Sequence, residues 1–393
     1  MNLLKENDNE GVNRIPVIVA MGNVGALYIT RTLIANDITV FGISHEEYLL
    51  THLGSNGILV TDKEEWFDII ISLAKEYFDK NNGKKMVFLT DMDKIMDDIL
   101  KNIEISEKYL QLPIGNSYVE YKKITDKQLL SKLNLSNISI PKTYTEKEQM
   151  KVDDFPVITK PLNTLMKLTN SKALVSNSKD DLIENISLLG GFDNTITQEI
   201  ISGETENLFC VTLYRNKYGH IIVANVVKKV REYPLTNGTG SCHVTVRNEL
   251  VLEKSIELLR GTNYVGVAMI EFKYSNKHND YFLIEVNGRF PIESEINNKI
   301  GNNFVLEVYE DILYPQPSND LEVDLPDIPV YWILASYDIR ACLKKKINFI
   351  KEYKKYKKSG KICFAIKNGS DKITYKSFIG YLIDKSIKRI INK

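Results

Sequence analysis

Short apolar runs alternate with longer amphipathic segments over the first hundred residues. The runs at 16–21, 38–43 and 85–90 are predicted strands, and the segments at 24–35 and 64–80 are predicted helices. Strands that alternate with helices are typical of a doubly wound parallel sheet. The pattern therefore predicts a Rossmann-like parallel α/β domain over residues 1–115.

The pattern changes after residue 116, where short strands follow one another with turns between them. A predicted helix begins at 124–130 with Thr125 or Asp126 as its N-cap, and strand-like runs follow at 138–143, 155–161 and 208–214. We expect a mixed α/β and α+β chain divided into residues 1–115, 116–202, 203–340 and a basic tail at 341–393.

The run at 281–289 is apolar but ends in a regularly spaced polar row. Because strand side chains alternate between faces, Glu285, Asn287 and Arg289 are predicted to share one face. The run at 265–272 carries Glu271 and is predicted to pair with this strand as a hairpin. Two carboxylates and an amide oxygen suit Mg²⁺, and an arginine beyond them suits a phosphate. The alternative is a solvated edge strand.

Two lysines stand at the ends of predicted elements, where an ammonium can reach a phosphate as a point charge. Lys127 lies in a first helical turn and Lys160 closes a short strand. Taken alone, either residue is more often a surface lysine. The run that starts at Thr195 leads into acidic residues beside a glycine turn, which are candidates to hold ribose hydroxyls or an adenine amine; an ordinary acidic loop is the alternative.

The turn at 20–25 resembles a dinucleotide-binding fingerprint in which alanine replaces the first glycine. The second strand ends in Ser44 without an acid to hold a ribose, so NAD is disfavoured. The helix that begins behind Gly22 and Gly25 is nevertheless a candidate site for an anionic substrate group, since its free N–H groups and dipole favour negative charge.

Composition excludes several classes of protein. The four cysteines and five histidines are scattered without metal-ligand spacing, so neither a zinc site nor a disulfide framework is predicted. The polar, acidic start and the lack of a long apolar run favour a cytoplasmic protein.

Charge is unevenly distributed although the net charge is zero. Residues 344–393 carry sixteen Lys or Arg and three acidic residues, a net charge of +13. Residues 377–393 have apolar positions at helical spacing among these cations. Contact with the inner face of a membrane, or with an acidic partner, is one interpretation, and a solvated helix is the other. No specific nucleic-acid binding is predicted, because aromatic stacking platforms are missing.

Five motifs in chain order resemble the signatures of the ATP-grasp superfamily. They are the segments 125–127, 157–161, 198–203, 265–271 and 284–289. The resemblance covers about residues 123–295, and the preceding α/β domain fits the usual arrangement of that superfamily. Within it, the chain is most similar to the carboxylate-amine ligases, the broad group that includes D-aspartate ligase.

The resemblance implies a role for each matching residue. Lys127 and Lys160 would contact the nucleotide phosphates, and Arg289 would neutralise an acyl phosphate. The segment with Gln198, Glu199 and Ile201 would bind adenine, and Glu206 the ribose, with a one-residue ambiguity in register. The implied metal ligands, for Mg²⁺ with Mn²⁺ as an alternative, are Glu271, Glu285 and Asn287. Arg231 is predicted to assist Arg289 at the oxyanion.

The implied reaction is ATP-dependent joining of a carboxylate to an amine, with release of ADP and phosphate. An amino acid joined to a cell-envelope precursor is the preferred substrate class. The alternatives are an ATP-grasp enzyme with thiol or bicarbonate chemistry, and a catalytically silent nucleotide-binding module. Two departures from the family are Gly288 in place of proline and a segment, 158–178, that lacks the usual glycine-rich lid. Lys167 or Lys172 is a candidate to replace that lid.

Overall fold

The computed structural model describes residues 14–62, 65–115, 117–162, 173–235, 237–317, 326–367, 374 and 376–379. Lys167, Lys172 and most of the predicted amphipathic helix at 377–393 lie outside this described part. Three β-sheets follow one another along the described chain. All four cysteines are free and buried.

The first sheet is parallel, with the strand order β3-β2-β1-β4-β5. Its elements are β1 (Val17–Ala20), α1 (Gly25–Ile34), β2 (Val40–Ser44), α2 (Glu47–Leu50), β3 (Gly57–Leu59), α3 (Trp66–Lys80), β4 (Met86–Thr90), α4 (Asp93–Lys101), α5 (Ile103–Tyr109) and β5 (Leu110–Gln111). The central strands β1 and β4 are buried throughout, as expected for a parallel sheet covered by helices on both faces. The predicted Rossmann-like domain is confirmed.

The strand order of this sheet reverses between its two central strands. The chain runs outward from β1 to β2 and β3, and then returns to place β4 on the other side of β1. The carboxyl ends of β1 and β4 therefore border a crevice, which is the usual position of a ligand in an open α/β sheet.

The second sheet is small and antiparallel, with the order β6-β9-β7-β8. It belongs to a segment made of α6 (Tyr118–Thr125), α7 (Lys127–Ser131), β6 (Thr143–Thr145), β7 (Val157–Pro161), β8 (Leu174–Ser176), α8 (Lys179–Leu188) and β9 (Thr195–Glu199). Of the two predicted N-caps, the structure selects Asp126, whose Oδ1 accepts from the backbone N–H groups of Gln128 and Leu129.

The third sheet has the order β14-β13-β10-β11-β12-β15-β16. The segment contains β10 (Leu208–Arg215), β11 (Ile221–Tyr233), β12 (Thr239–Thr245), α9 (Glu249–Gly261), β13 (Gly266–Ser275), β14 (Asp280–Asn287), α10 (Ile296–Ile300), α11 (Phe304–Leu313), β15 (Val330–Ile333), α12 (Ala335–Lys344), α13 (Phe349–Ser359) and β16 (Lys361–Phe364). β13 and β14 form the predicted hairpin, and its register sets Glu271 opposite Glu285.

The first part of the predicted basic tail belongs to this large sheet. β16 pairs with β15 in parallel, and Cys363 on β16 is buried in the core. The predicted division at residue 340 therefore falls inside α12, whereas those at 115 and 202 fall between elements. No helix in the described ranges is long and apolar enough to cross a membrane.

Candidate active site

A cleft of about 500 Å³ lies between the carboxyl edge of the parallel sheet and the large sheet. Its walls come from the turn after β1, from α2, from β10 to β14, and from α12. The polar lining residues are Asn23, Glu46, Tyr48, Lys229, Thr239, His243, Glu271, Glu285, Asn287, Arg289, Glu293, Ser336, Tyr337 and Arg340. The polar row predicted on β14 thus faces the cleft, with Glu271 beside it.

The predicted metal ligands lie together on the β13–β14 hairpin. Glu271 and Glu285 are opposite each other, and Asn287 lies two residues beyond Glu285 on the same face. The Asn287 amide, in the orientation that satisfies its neighbours, donates to Glu285 Oε1 and to Asp93 Oδ2, each at 3.2 Å. Glu271 and Glu285 supply carboxylate oxygens and Asn287 supplies an amide group, and these ligand types suit a hard divalent cation, so the residues present fit Mg²⁺.

Arg289 lies at the edge of the cleft and is held by the parallel domain. Its Nε donates to Asp93 Oδ2 at 3.0 Å, and its Nη1 donates to the backbone oxygen of Phe290 at 3.1 Å. Burial disfavours the charged guanidinium, but the Asp93 carboxylate outweighs burial and raises the pKa of Arg289 above its usual value. Arg289 is therefore a fixed cation in an oriented position.

The anion site predicted behind Gly22 is occupied by a side chain of the protein. The Asp91 carboxylate accepts from the backbone N–H groups of Gly22 (2.7 Å), Ala26 (3.0 Å) and Asn23 (3.1 Å). Burial raises the pKa of Asp91 to about 7, while these donors and Arg289 oppose that rise. The start of α1 therefore binds Asp91, and the expectation of a substrate anion there is wrong.

A buried lysine on β11 lies beside Glu271, one of the predicted metal ligands. Lys229 Nζ lies 3.7 Å from Glu271 Oε1, and the Lys229 side chain is almost fully buried. Burial lowers the pKa of this ammonium, but Glu271, Cys210, Glu232 and Glu293 together outweigh burial and raise the pKa overall. Lys229 is therefore a permanent positive charge in the cleft that was not predicted from sequence.

Lys160 and Lys127 lie near each other at the end of β7. Lys160 Nζ donates to Gln198 Oε1 at 2.9 Å, and Lys127 Nζ donates to the backbone oxygen of Pro161 at 2.7 Å. Burial lowers the pKa of Lys160, Glu285 raises it, and Lys127 lowers it. Lys160 is thus within electrostatic range of the predicted metal ligands Glu285 and Glu271, and Lys127 is within range of Lys160.

The remaining predicted nucleotide residues lie where β9 leaves the small sheet. Glu199 Oε1 accepts from the backbone N–H of Lys142 at 2.8 Å, Ile201 is buried, and Glu206 is exposed in the short turn before β10. These residues follow the small sheet rather than the walls of the cleft. Their assignment to the nucleotide therefore stays a prediction.

Arg231 does not occupy the position expected of a catalytic residue. Its Nε and Nη2 each donate to the Asp338 carboxylate at 2.8 Å, and its Nη1 donates to Tyr356 Oη at 2.6 Å. The residue is only 3% exposed and does not line the cleft. Arg231 therefore links β11 to α12 and α13 through a structural ion pair. The prediction that it contacts an oxyanion is wrong.

Arg340 on α12 provides the cleft cation that Arg231 does not. It lies over the Tyr233 ring, 6.0 Å from the centroid, and lines the cleft beside Ser336 and Tyr337. Among the described residues it takes part in no hydrogen bond or ion pair. A guanidinium in this state can bind a carboxylate or a phosphate.

Gly288 is required by packing rather than by backbone flexibility. A β-carbon at this position would lie 2.5 Å from the Tyr121 ring of α6 and 3.1 Å from Tyr264 Oη. Glycine at this position, where the family usually has proline, therefore allows α6 to pack directly against β14.

Comparisons with known proteins agree with this arrangement. Residues 243–308 match the family model "Carbamoyl-phosphate synthase L chain, ATP binding domain". The chain is 24% identical over 283 residues to D-aspartate ligase of Enterococcus faecium, and the match covers 65% of this chain and 65% of that ligase. The chain thus spans just under two thirds of the length of that relative.

Several solved structures share the fold at low sequence identity. An L-amino acid ligase from Bacillus licheniformis has a TM-score of 0.58 at 14% identity, over 81% of this chain and 79% of that chain. A biotin carboxylase from Campylobacter jejuni has a TM-score of 0.60 at 11% identity, over 78% and 72%. N5-carboxyaminoimidazole ribonucleotide synthetase from Thermotoga maritima has a TM-score of 0.54 at 17% identity, over 80% and 79%. The family-model match, the related ligase and the shared fold together confirm the resemblance to ATP-grasp ligases that the five sequence motifs predicted.

Proposed function

We propose that this protein is an ATP-dependent ligase that activates a carboxylate as an acyl phosphate and joins it to an amine, with release of ADP and phosphate. The observation that carries the proposal is the Glu271–Glu285 pair with Asn287, facing the same cleft as Arg289, Lys229 and Arg340. Acids for a metal and cations for phosphate and carboxylate groups are what such a reaction requires, because positioning and charge stabilisation dominate phosphoryl transfer.

Glu271, Glu285 and Asn287 hold Mg²⁺, with Mn²⁺ as an alternative. A metal bound there neutralises charge on the phosphate oxygens of ATP. Lys160 and Lys127 bind the phosphates from the small sheet, and Gln198, Glu199 and Ile201 bind the base. Glu206 binds the ribose. The match to D-aspartate ligase supports ATP as the nucleotide, and the 2-oxoglutarate carboxylase domain from Hydrogenobacter thermophilus that shares the fold was solved with MgADP.

The reaction has two balanced steps. A substrate carboxylate oxygen attacks the γ-phosphorus, an O–P bond forms, and the bond to ADP breaks. The amine nitrogen then attacks the acyl carbon, phosphate leaves with the bonding electrons, and the amine loses a proton. Arg289 stabilises the oxyanion at the acyl carbon. Glu293 is buried in the cleft wall, its Oε1 has no hydrogen-bond partner among the described residues, and it accepts the proton.

Arg340 binds a carboxylate group of the substrate. We expect Arg340→Ala to raise KM for that substrate by about 10- to 100-fold, because a hydrogen-bonded charge pair contributes about 1.5–3 kcal/mol. The KM for ATP should change little. The control is Arg247→Ala, since Arg247 is an exposed arginine outside the cleft. An equal rise in both KM values would contradict this role.

The test of the function is a phosphate-release screen of carboxylates paired with amines, followed by mass spectrometry of the product. Phosphate release that needs both substrates supports the ligase. Bicarbonate in place of an organic acid, or a thiol in place of the amine, tests the second candidate. The 2-oxoglutarate carboxylase domain from Hydrogenobacter thermophilus, which shares the fold and was solved with bicarbonate, favours including bicarbonate. ATP binding without ADP formation across the whole panel would indicate a silent nucleotide-binding module.

The substrate class is an amino acid joined to a cell-envelope precursor, and the protein acts in the cytoplasm at the inner membrane face. Two exposed aliphatic side chains support this location: Leu343 at the end of α12 is 71% exposed, and Ile350 in α13 is 65% exposed. The neighbouring sequence positions include the cations Lys344, Lys345, Lys346, Lys351, Lys354 and Lys355. Exposed aliphatic groups within a lysine cluster are complementary to an anionic lipid surface.

We expect the full chain to float with vesicles that contain phosphatidylglycerol and not with phosphatidylcholine vesicles alone. Raised salt should reduce this binding, because it screens the lysine charges. The double variant Leu343→Ser/Ile350→Ser should float less than the wild type. Leu250→Ser is the matched control, because Leu250 is exposed on α9. Equal flotation with both kinds of vesicle, or none, would contradict the proposed location.

A further inference from the structure

We propose that the base of the cleft binds a thiophilic divalent cation of the zinc type through Cys210, His243 and Glu293. One ligand atom from each residue lies within 4.8 Å of the others, and all three residues are buried. Their ligand atoms differ in type from the oxygen ligands of Glu271, Glu285 and Asn287, and the Cys210 thiol, which donates to Glu271 Oε1 at 3.8 Å, would exchange that hydrogen bond for the metal. The site takes a different class of metal from the one that accompanies ATP.

The three side chains come from separate elements that hold them in place. Cys210 lies on β10 opposite Glu271, His243 lies on β12, and Glu293 lies in the segment after β14. The His243 ring rests on Gly240, where a β-carbon would lie 2.1 Å from the ring. Because any larger residue at 240 would displace the ring, glycine fixes the position of His243.

Two of the three residues carry buried polar atoms without a partner. His243 Nδ1 and Glu293 Oε1 have no hydrogen bond in the described part of the chain. Leaving a buried polar group unpaired costs about 1–3 kcal/mol. A cation between them would satisfy both atoms, and this second observation points to a ligand independently of the spacing.

The donor set is selective for zinc over magnesium. Thiolate, neutral imidazole and carboxylate are common zinc ligands, whereas Mg²⁺ prefers oxygen ligands alone. Neighbouring ligand atoms around tetrahedral zinc lie roughly 3.3–3.7 Å apart, so the side chains would close by about 1 Å. The Cys210 thiol releases its proton to solvent as the sulfur–metal bond forms. The nearby Lys229 ammonium is already paired with Glu271.

A cation held there would also block the cleft. It would occupy Glu293, which accepts the amine proton in the proposed reaction, and would therefore inhibit ligation. This consequence rests on the proposed function, whereas binding of the metal does not. A binding measurement can therefore fail or succeed independently of the ligase assignment.

The experiment is titration of the full-length metal-free protein with Co²⁺, a spectroscopic substitute for zinc, in the presence of excess Mg²⁺. We expect a thiolate-to-cobalt charge-transfer band in the near ultraviolet that saturates at one equivalent and is abolished by Zn²⁺. Cys210→Ser should remove the band. Glu293→Gln should keep the band and weaken cobalt affinity by more than about 10-fold, since even second-shell changes cost about 10- to 100-fold.

Cys342→Ser is the matched control, because Cys342 is a buried thiol on α12 outside the cleft. It should bind cobalt as the wild type does. Circular dichroism of each variant, compared with wild type, establishes that a lost band reflects a lost ligand. The proposal is overturned if the wild type shows no charge-transfer band, or if a folded Cys210→Ser variant retains it.

Discussion

Glu285→Ala is expected to reduce ADP formation by on the order of a thousandfold or more. Glu285 is one of two facing carboxylates on the β13–β14 hairpin and contacts the Asn287 amide. Its removal takes away a metal ligand and leaves Asn287 without one of its partners. Because the metal contributes several kcal/mol of charge stabilisation to phosphoryl transfer, and each 1.36 kcal/mol is tenfold in rate, the loss is large.

A metal-affinity measurement and a control variant make this prediction specific to the metal. The Mn²⁺ affinity of the protein, read by electron paramagnetic resonance in the presence of nucleotide, should fall together with the rate. Glu253→Ala is the control, because Glu253 is an exposed glutamate on α9. Near-normal ADP formation by Glu285→Ala would remove Glu285 from the site.

Arg289→Lys is expected to lower kcat by about 100- to 1000-fold although it preserves the positive charge. The guanidinium is aimed by Asp93 and by the backbone oxygen of Phe290. The planar guanidinium can make these two contacts and donate to an oxyanion at the same time. A lysine ammonium has no such planar group of donors. The loss of one well-placed donor at an oxyanion costs about this much in rate.

Comparing the effect of Arg289→Lys on kcat with its effect on ADP affinity tests the role of Arg289 at the oxyanion. The affinity for ADP should change by less than about threefold, because the predicted interaction forms at the reacting acyl carbon. Arg260→Lys, on the exposed end of α9, is the control. A variant that loses nucleotide affinity and keeps kcat would assign Arg289 to nucleotide binding instead.

The hairpin and its polar row were predictable because they depend on local sequence. Alternation of side chains places Glu285 and Asn287 on one face, and apolar runs of similar length set Glu271 opposite Glu285. The parallel sheet was predictable for the same reason, since buried strands and amphipathic helices differ in period.

The partners of that row come from distant parts of the chain and were not predicted. Asp91 and Asp93 follow β4, and they reach α1 and Arg289 only because the strand order reverses beside β1. Their position after a parallel strand was an available signal, because ligand sites form at such ends. The anion expected behind Gly22 was wrong because Asp91 supplies that charge internally.

Arg231 and Arg340 show a different limit of sequence reasoning. Both are arginines near polar residues, and composition does not indicate which one faces a cleft. Arg231 is buried against Asp338 because β11 passes beneath α12, while Arg340 extends from α12 into the cleft. Only the packing of α12 against the sheet shows that Arg231 forms a structural ion pair and that Arg340 is the cation facing the cleft.

The most direct test of acyl phosphate formation follows the carboxylate oxygen. Once the screen has identified a substrate pair, the acid is supplied with ¹⁸O in its carboxylate, and the released phosphate is analysed by mass spectrometry. Attack of the carboxylate on ATP predicts one ¹⁸O atom transferred to each phosphate. Phosphate that is released in step with product but carries no ¹⁸O would contradict the proposed mechanism.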